Sequence, residues 1–97
     1  MVASSAVIAL PWYRRGDYAA LLRLFSDPDK LPATYDEWLK RAESTERQLQ
    51  KAGIGVGRVW IRPSPFAAWC KQRKLSPDQG ARLAFANESA RHLHSRC

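Results

Sequence analysis

Ninety-seven residues, 45% hydrophobic and 26% charged, with a net charge of +7, describe one folded soluble domain and exclude a disordered or low-complexity chain. The longest apolar run, Ala6 to Leu10, is too short to span a bilayer and has no basic segment before it, which argues against a membrane protein or a secretory signal. Cys70 and Cys97 make no disulfide framework, so a reducing cytoplasm is the expected location.

The charge is uneven along the chain. Residues 1–53 hold eight Lys/Arg against seven Asp/Glu, a net of +1, whereas residues 54–97 hold eight against two, a net of +6. A basic half of this kind suits a phosphate backbone, but excess surface charge also simply keeps a small domain in solution.

In chain order, Ala6-Val7-Ile8-Ala9-Leu10 is a short strand candidate, because Leu10 precedes Pro11 and is pushed towards extended backbone. Trp12 and Tyr13 are core anchors, and Arg14-Arg15-Gly16 is a solvated turn. Asp17 is placed to cap a first helix over about Tyr18 to Phe25, whose Tyr18, Leu21, Leu22 and Phe25 share one face. Ser26-Asp27-Pro28-Asp29-Lys30 is turn chemistry.

A second helix is the clearest element. Thr34-Tyr35-Asp36-Glu37 fits a capping box. Tyr35, Trp38, Leu39, Ala42, Leu49 and Ala52 form an apolar stripe with a polar gap at Thr45 and Glu46. Asp36–Lys40, Glu37–Arg41 and Glu43–Arg47 stand in the favourable acid-before-base order at i, i+4. Gly53 supplies a left-handed stop, with Ile54 folding back over the last turn.

Gly55-Val56-Gly57 reads as a bend, followed by a strand at Val59-Trp60-Ile61. Val59 and Ile61 are expected to meet the helices, leaving Arg58, Trp60 and Arg62 on the other face. The prolines in Arg62-Pro63-Ser64-Pro65 predict a third helix that starts at Pro65, with Ser64 as its cap, and runs to about Lys74. Phe66, Trp69 and Cys70 form its inner face. Ser76-Pro77-Asp78-Gln79 reads as a second capping box opening a fourth helix to about His92. Ala81, Ala84, Phe85 and Glu88 line one side of it, and Leu83, Ala86, Ala90 and Leu93 lie elsewhere.

Few residues invite chemistry. His92, His94 and Cys97 are the sole metal-like group, but residues two apart on a helix diverge by about 200° and do not chelate together. Cys70 has Lys71, Arg73 and Lys74 nearby to lower its pKa, yet its spacing beside Phe66 and Trp69 favours a small core hydrophobe. Glu43 and Glu46 are better read as a solvated face than as an acid–base pair. Gly53-Ile54-Gly55-Val56-Gly57 precedes a strand, whereas a phosphate loop opens a helix. The sequence therefore predicts no enzyme, no cofactor and no metal.

Two function classes stand: a protein-interaction or structural module, and a nucleic-acid binder. The second rests on helix-turn-helix lengths in the last two helices, with Lys71, Arg73, Lys74, Arg82 and Asn87 facing phosphates or base edges. Lys74 in place of a turn glycine and Asp78 at the groove-entering end count against it. With Arg58, Trp60 and Arg62, these residues make up the candidate interaction surface. A small-molecule pocket among Trp12, Trp38 and Trp69 is a third outcome.

Pro11-Trp12-Tyr13, Asp17-Tyr18, Leu31-Pro32-Ala33-Thr34-Tyr35-Asp36-Glu37-Trp38-Leu39, Arg58-Val59, Phe66-Ala67-Ala68-Trp69-Cys70 and Phe85-Ala86-Asn87-Glu88 occur in this order. Together they resemble a family of short, uncharacterised bacterial proteins, over about residues 8–91. The resemblance implies a small stand-alone bacterial domain and supplies no catalytic residue to carry over.

The expected architecture is α+β and mainly helical, four helices with one or two short strands in the order β-α-α-β-α-α. It forms a single domain over 1–97, with ends frayed at about 1–5 and 94–97. Two strands make a marginal sheet, so a homodimer with Val59–Ile61 near its interface is expected.

Overall fold

The computed structural model describes residues 7–94, with side chains up to residue 90. Strand β1 (Val7–Trp12) leads through helices α1 (Tyr18–Leu24) and α2 (Tyr35–Lys51) to strand β2 (Gly55–Trp60). Helices α3 (Pro63–Arg73) and α4 (Gln79–His94) follow, and short 3-10 turns stand at Arg15–Asp17 and Pro28–Lys30. This is the mainly helical β-α-α-β-α-α order that the sequence predicts. Apart from His94, which ends α4, the ends expected to fray lie outside the described residues.

The strands pair in parallel, with Val7 opposite Gly55 and Trp12 opposite Trp60. Parallel neighbours need a long crossover, and here α1 and α2 provide it. The second strand differs from expectation. Gly55-Val56-Gly57 belongs to the strand and Ile61 lies just past it, its N–H still donating to the Trp12 carbonyl at 2.9 Å. Backbone pairing with β1 overrides the weak strand preference of the glycines.

The core is an aromatic cluster laid over this pair. Trp12 meets Trp38 edge-on at 5.3 Å between ring centroids, and Tyr13 lies 4.7 Å from Trp38. Phe25 meets Phe66 at 5.8 Å, which joins α1's end to α3. Leu21, Ile61 and Phe66 are fully buried beside them. Such offset and edge-to-face contacts add to what area burial provides. α4 lies across both strands, and buried Ala9, Ala81 and Ala86 keep that layer thin. Ala86 is thus an inner residue of α4, whereas Ala84 is exposed.

Helix ends follow local chemistry in some places and distant partners in others. At α2 the Glu37 N–H donates to the Thr34 hydroxyl at 3.2 Å, and that hydroxyl donates to the Glu37 carboxylate at 3.0 Å. The helix stops as expected: Gly53 has φ 82°, Gly53 N–H donates to Gln50 and Ile54 N–H to Leu49, the paired bonds of a Schellman stop. α3 closes the same way with Lys74 at φ 57°, where Leu75 N–H donates to Cys70 and Lys74 N–H to Lys71.

Three expected caps are corrected. Asp17 makes no cap bond, because its carboxylate accepts from Arg62 Nε at 2.9 Å. α3 begins at Pro63, with Arg62 extended before it. Both prolines fall in the first turn, where their missing N–H groups are not needed. At α4 the cap is Asp78, whose Oδ1 accepts from the Ala81 N–H at 3.0 Å. Ser76 instead closes a turn onto the Asp78 N–H at 2.8 Å.

Asp27 clasps the two halves of the chain. Its carboxylate accepts from Arg82 Nη1 at 2.7 Å and from the Gln79 N–H at 3.0 Å, while Ser26 N–H donates to the Pro77 carbonyl. Arg82 is 4% exposed and its guanidinium lies 4.4 Å from the Phe25 ring centre. The hydrogen bond from Arg82 holds the Asp27 carboxyl below the usual range. The pair therefore stabilises the fold above the unfolded carboxyl's pKa of about 3.9 and loses that contribution as pH falls through the lower folded value. Removing one partner strands a buried charge, so Asp27→Ala is expected to cost about 3 kcal/mol at neutral pH. Urea unfolding at pH 7 and pH 3 measures this: the variant should differ less from the parent at pH 3, and equal stability at pH 7 would refute the clasp.

Candidate functional site

Two surfaces carry the residues that the sequence singles out. The first is the end of the sheet. Trp60 sits beside Trp12 in the ladder. Trp12 is covered by Trp38 and by the Arg58 guanidinium, 4.0 Å from its ring centre, whereas Trp60 is 51% exposed. Arg14 and Arg62 border a hollow beside Trp60. Arg62 is held by Asp17. Arg58 is held by Glu46 through two bonds of 2.8 Å, and this bidentate pairing lowers the Glu46 carboxyl pKa and raises that of Arg58.

Val7 and Ile8, at 54% and 37% exposure, add apolar surface to β1. Among the described residues the sheet contains these two strands. Among the described residues, no backbone hydrogen bond joins the outer edge of either strand to another element.

The basic helical pair is less open than its sequence suggests. Arg82 is removed from the candidate surface: it is buried on Asp27. Arg73 donates to Glu88 at 2.6 Å and its guanidinium lies 4.9 Å from the Trp69 ring centre. Lys71, Lys74 and Asn87 are exposed. Every arginine of the candidate set thus carries a carboxylate partner: Glu46, Asp17, Glu88 or Asp27.

The second surface is a cleft of about 310 Å³ between the end of β1, the Lys30–Pro32 segment, α2 and the start of α4. Leu10, Trp12, Tyr13, Leu31 and Trp38 give it apolar walls, and Lys30, Arg41, Thr45 and Gln79 are its polar groups. The expected pocket of three tryptophans is corrected. Trp69 is not in the cleft; it stacks at 6.3 Å on Phe66 and meets Phe85 edge-on. Two phenols fix the walls: Tyr18 donates to the Pro32 carbonyl at 2.6 Å and Tyr35 to the Tyr13 carbonyl at 2.9 Å. Burial pushes the Tyr13 hydroxyl up to about 12, partly offset by Arg82.

The remaining candidates take ordinary places. Glu46 serves Arg58, which separates it from Glu43 as a working pair. Two of the α2 acids take other partners: Asp36 accepts from Arg15, 21 residues away, at 2.8 Å, and Glu37 accepts from Thr34 within the capping box. Side chains of His92 and His94, and Cys97, lie outside the described residues. Among the described residues, no group of His, Cys, Asp and Glu has the convergence a metal needs, and no helix is long and apolar enough to cross a membrane.

Sequence reasoning passed over Arg14, Lys30, Arg41, Val7 and Ile8. Their signal is weak, because only the crossover from β1 to β2 brings them to these surfaces. The chain matches no protein-family model, no curated protein and no solved structure, so the surfaces are read from their own geometry.

Cys70 is buried among Phe66, Trp69 and Ala81. Burial, with a smaller push from the Asp78 carboxylate, raises its thiol above the ordinary range, opposite to what an attacking thiolate requires. In a Cys97→Ser variant, Cys70 is expected to react with a chromogenic disulfide at least about a hundredfold more slowly than in urea-unfolded protein, because reaction waits on opening. Comparable rates in the two states would show an accessible, activated thiol.

Proposed function

We propose that this domain is a non-enzymatic protein-interaction module, and that it associates through the open end of its sheet with a second copy of itself. One observation carries the reading: a half-exposed Trp60 stands at the end of a two-stranded sheet whose outer edges lack strand partners. Large aromatics held by a rigid frame are the usual anchors of protein contacts. An unpaired edge offers backbone groups to an added strand. Val7 and Ile8 supply apolar area beside that edge, and Arg14 and the Asp17-paired Arg62 border Trp60. The Schellman turn at Lys74 and the core place of Cys70 suit a structural role for α3. A small bacterial domain, as the resemblance implies, and a cytoplasmic setting fit this use.

Nucleic-acid binding has narrower support. Arg82 is internal and Arg73 is paired, which leaves Lys71, Lys74 and Asn87 of the α3–α4 set. Three such residues form a small footprint for a phosphate backbone.

Size-exclusion chromatography with light scattering is expected to give twice the chain mass at micromolar concentration. Trp60→Ser and Ile8→Lys, both at exposed positions, should each shift the protein towards monomer with unchanged thermal unfolding of the isolated chain. A clean monomer across the concentration range overturns the dimer. Retention of a labelled duplex with a steep salt dependence would favour the alternative.

A further inference from the structure

We infer that the cleft between β1, α2 and the start of α4 is a binding site for a small aromatic carboxylate. The reading rests on three features that meet there.

Its walls are aromatic and rigid. Trp12, Tyr13 and Trp38 border the cleft, and the first two are almost fully buried. Their backbones are pinned: the Tyr13 carbonyl accepts from Tyr35, and the Pro32 carbonyl on the opposite wall accepts from Tyr18. A site whose walls are already fixed loses little freedom on binding. Trp12 and Trp38 pack on each other at 5.3 Å and 70° and are 2% and 6% exposed, so a planar ring would rest on Leu10, Leu31 and Leu83 and reach the indoles only at their edges.

The polar groups are few, and their charge is of one sign. Arg41 on α2 borders the cleft and, among the described residues, has no hydrogen bond or ion pair. Lys30 borders it from the other side, with its nearest carboxylate, Asp27, at 3.9 Å. No carboxylate lines the cleft. Arg82 is taken up by Asp27 and Lys30 shares that carboxylate at 3.9 Å, so the charge most available to a ligand is that of Arg41. A guanidinium offers two parallel donors to a carboxylate. Thr45 and Gln79 add neutral hydrogen-bonding groups on the same walls.

Size limits the ligand. About 310 Å³ is at the small end of ligand pockets, enough for one or two fused rings with a short acidic group. A cationic rim over an apolar floor discriminates against a neutral ring of equal size, which leaves Arg41 without a counter-charge.

The test uses 2-naphthoate as the probe and 2-naphthalenemethanol as its neutral twin, followed by nitrogen-15 NMR. The four tryptophan indole N–H signals make the readout specific, because Trp60 and Trp69 lie outside the cleft. Naphthoate is expected to move the Trp12 and Trp38 signals saturably and to leave Trp60 and Trp69 in place. The neutral twin should bind about tenfold more weakly, and Arg41→Gln should weaken naphthoate by a similar factor without affecting the twin. Lys71→Gln, the same charge change away from the cleft, should leave the affinity unchanged. Equal affinity for acid and alcohol, equal affinity in parent and Arg41→Gln, or shifts confined to Trp60 would each overturn the assignment. The thermal midpoint of Arg41→Gln, an exposed position, checks that any loss is local. Self-association through the sheet end would alter the Trp60 signal with protein concentration, whereas the cleft ligand is read at Trp12 and Trp38, so failure of the sheet-edge reading does not decide this one.

Discussion

The structure depends most on the Arg82–Asp27 clasp. A guanidinium that is 4% exposed bears a large desolvation cost, and one carboxylate at 2.7 Å with further hydrogen bonds offsets it. The same carboxylate takes the Gln79 N–H at the first turn of α4. A residue after α1 thereby fixes where a helix begins 52 positions later. Because Arg82 also packs on the Phe25 ring, the clasp and the aromatic core are coupled: moving one displaces the other. Gln79, Arg82 and Leu83 form one wall of the cleft, and Lys30, Leu31 and Pro32 another. Without the clasp these walls have no common frame.

The sheet is the second constraint, and it is a weak element made useful by its surroundings. Two parallel strands have one ladder between them and two unpaired edges. The pair persists because α4 covers it and because Trp12 and Ile61 anchor its ends in the core. That support is one-sided at Trp60. Its ladder neighbour Trp12 is covered by Trp38 and Arg58, whereas Trp60 lies beyond their reach. The difference in exposure of two tryptophans side by side is therefore a matter of what the helices cover, and not of strand alternation.

How much of this was legible in the sequence depends on the range of the interactions. The second helix could be read almost completely, since its cap, stripe and glycine stop lie within it. The class and order of elements followed from similar local signals, and Trp12, Tyr13 and Phe66 were legible as core. The misread features share one cause. Asp17 has the right chemistry for a cap, yet Arg62, 45 residues on, takes its carboxylate. Asp36 has Lys40 one turn away and pairs with Arg15. Arg82 looked like a surface cation because nothing near it in sequence is acidic except Asp78. Periodicity cannot show a partner supplied by another element. The cleft is half legible: the sequence groups Trp12 with Trp38, but nothing local shows that Trp69 faces away from them or that Arg41 borders them.

The charge asymmetry gains a different meaning in three dimensions. The acids of the first half and the arginines of the second are not separate surfaces: Asp17, Asp27 and Glu46 neutralise Arg62, Arg82 and Arg58. Three of the eight basic residues in that half are cross-links that stitch it to the other. Net charge is unchanged by such pairing, but its distribution is not. The cations that stay uncompensated are scattered over the surface, and most face only solvent, where hydration satisfies them. Arg41 is exposed as well, but an anion seated on the apolar walls beside it would be partly shielded from water and so pair with it more strongly than one on an open helix face. Its place beside those apolar walls, more than the +7 total, is what distinguishes Arg41 from the other basic residues.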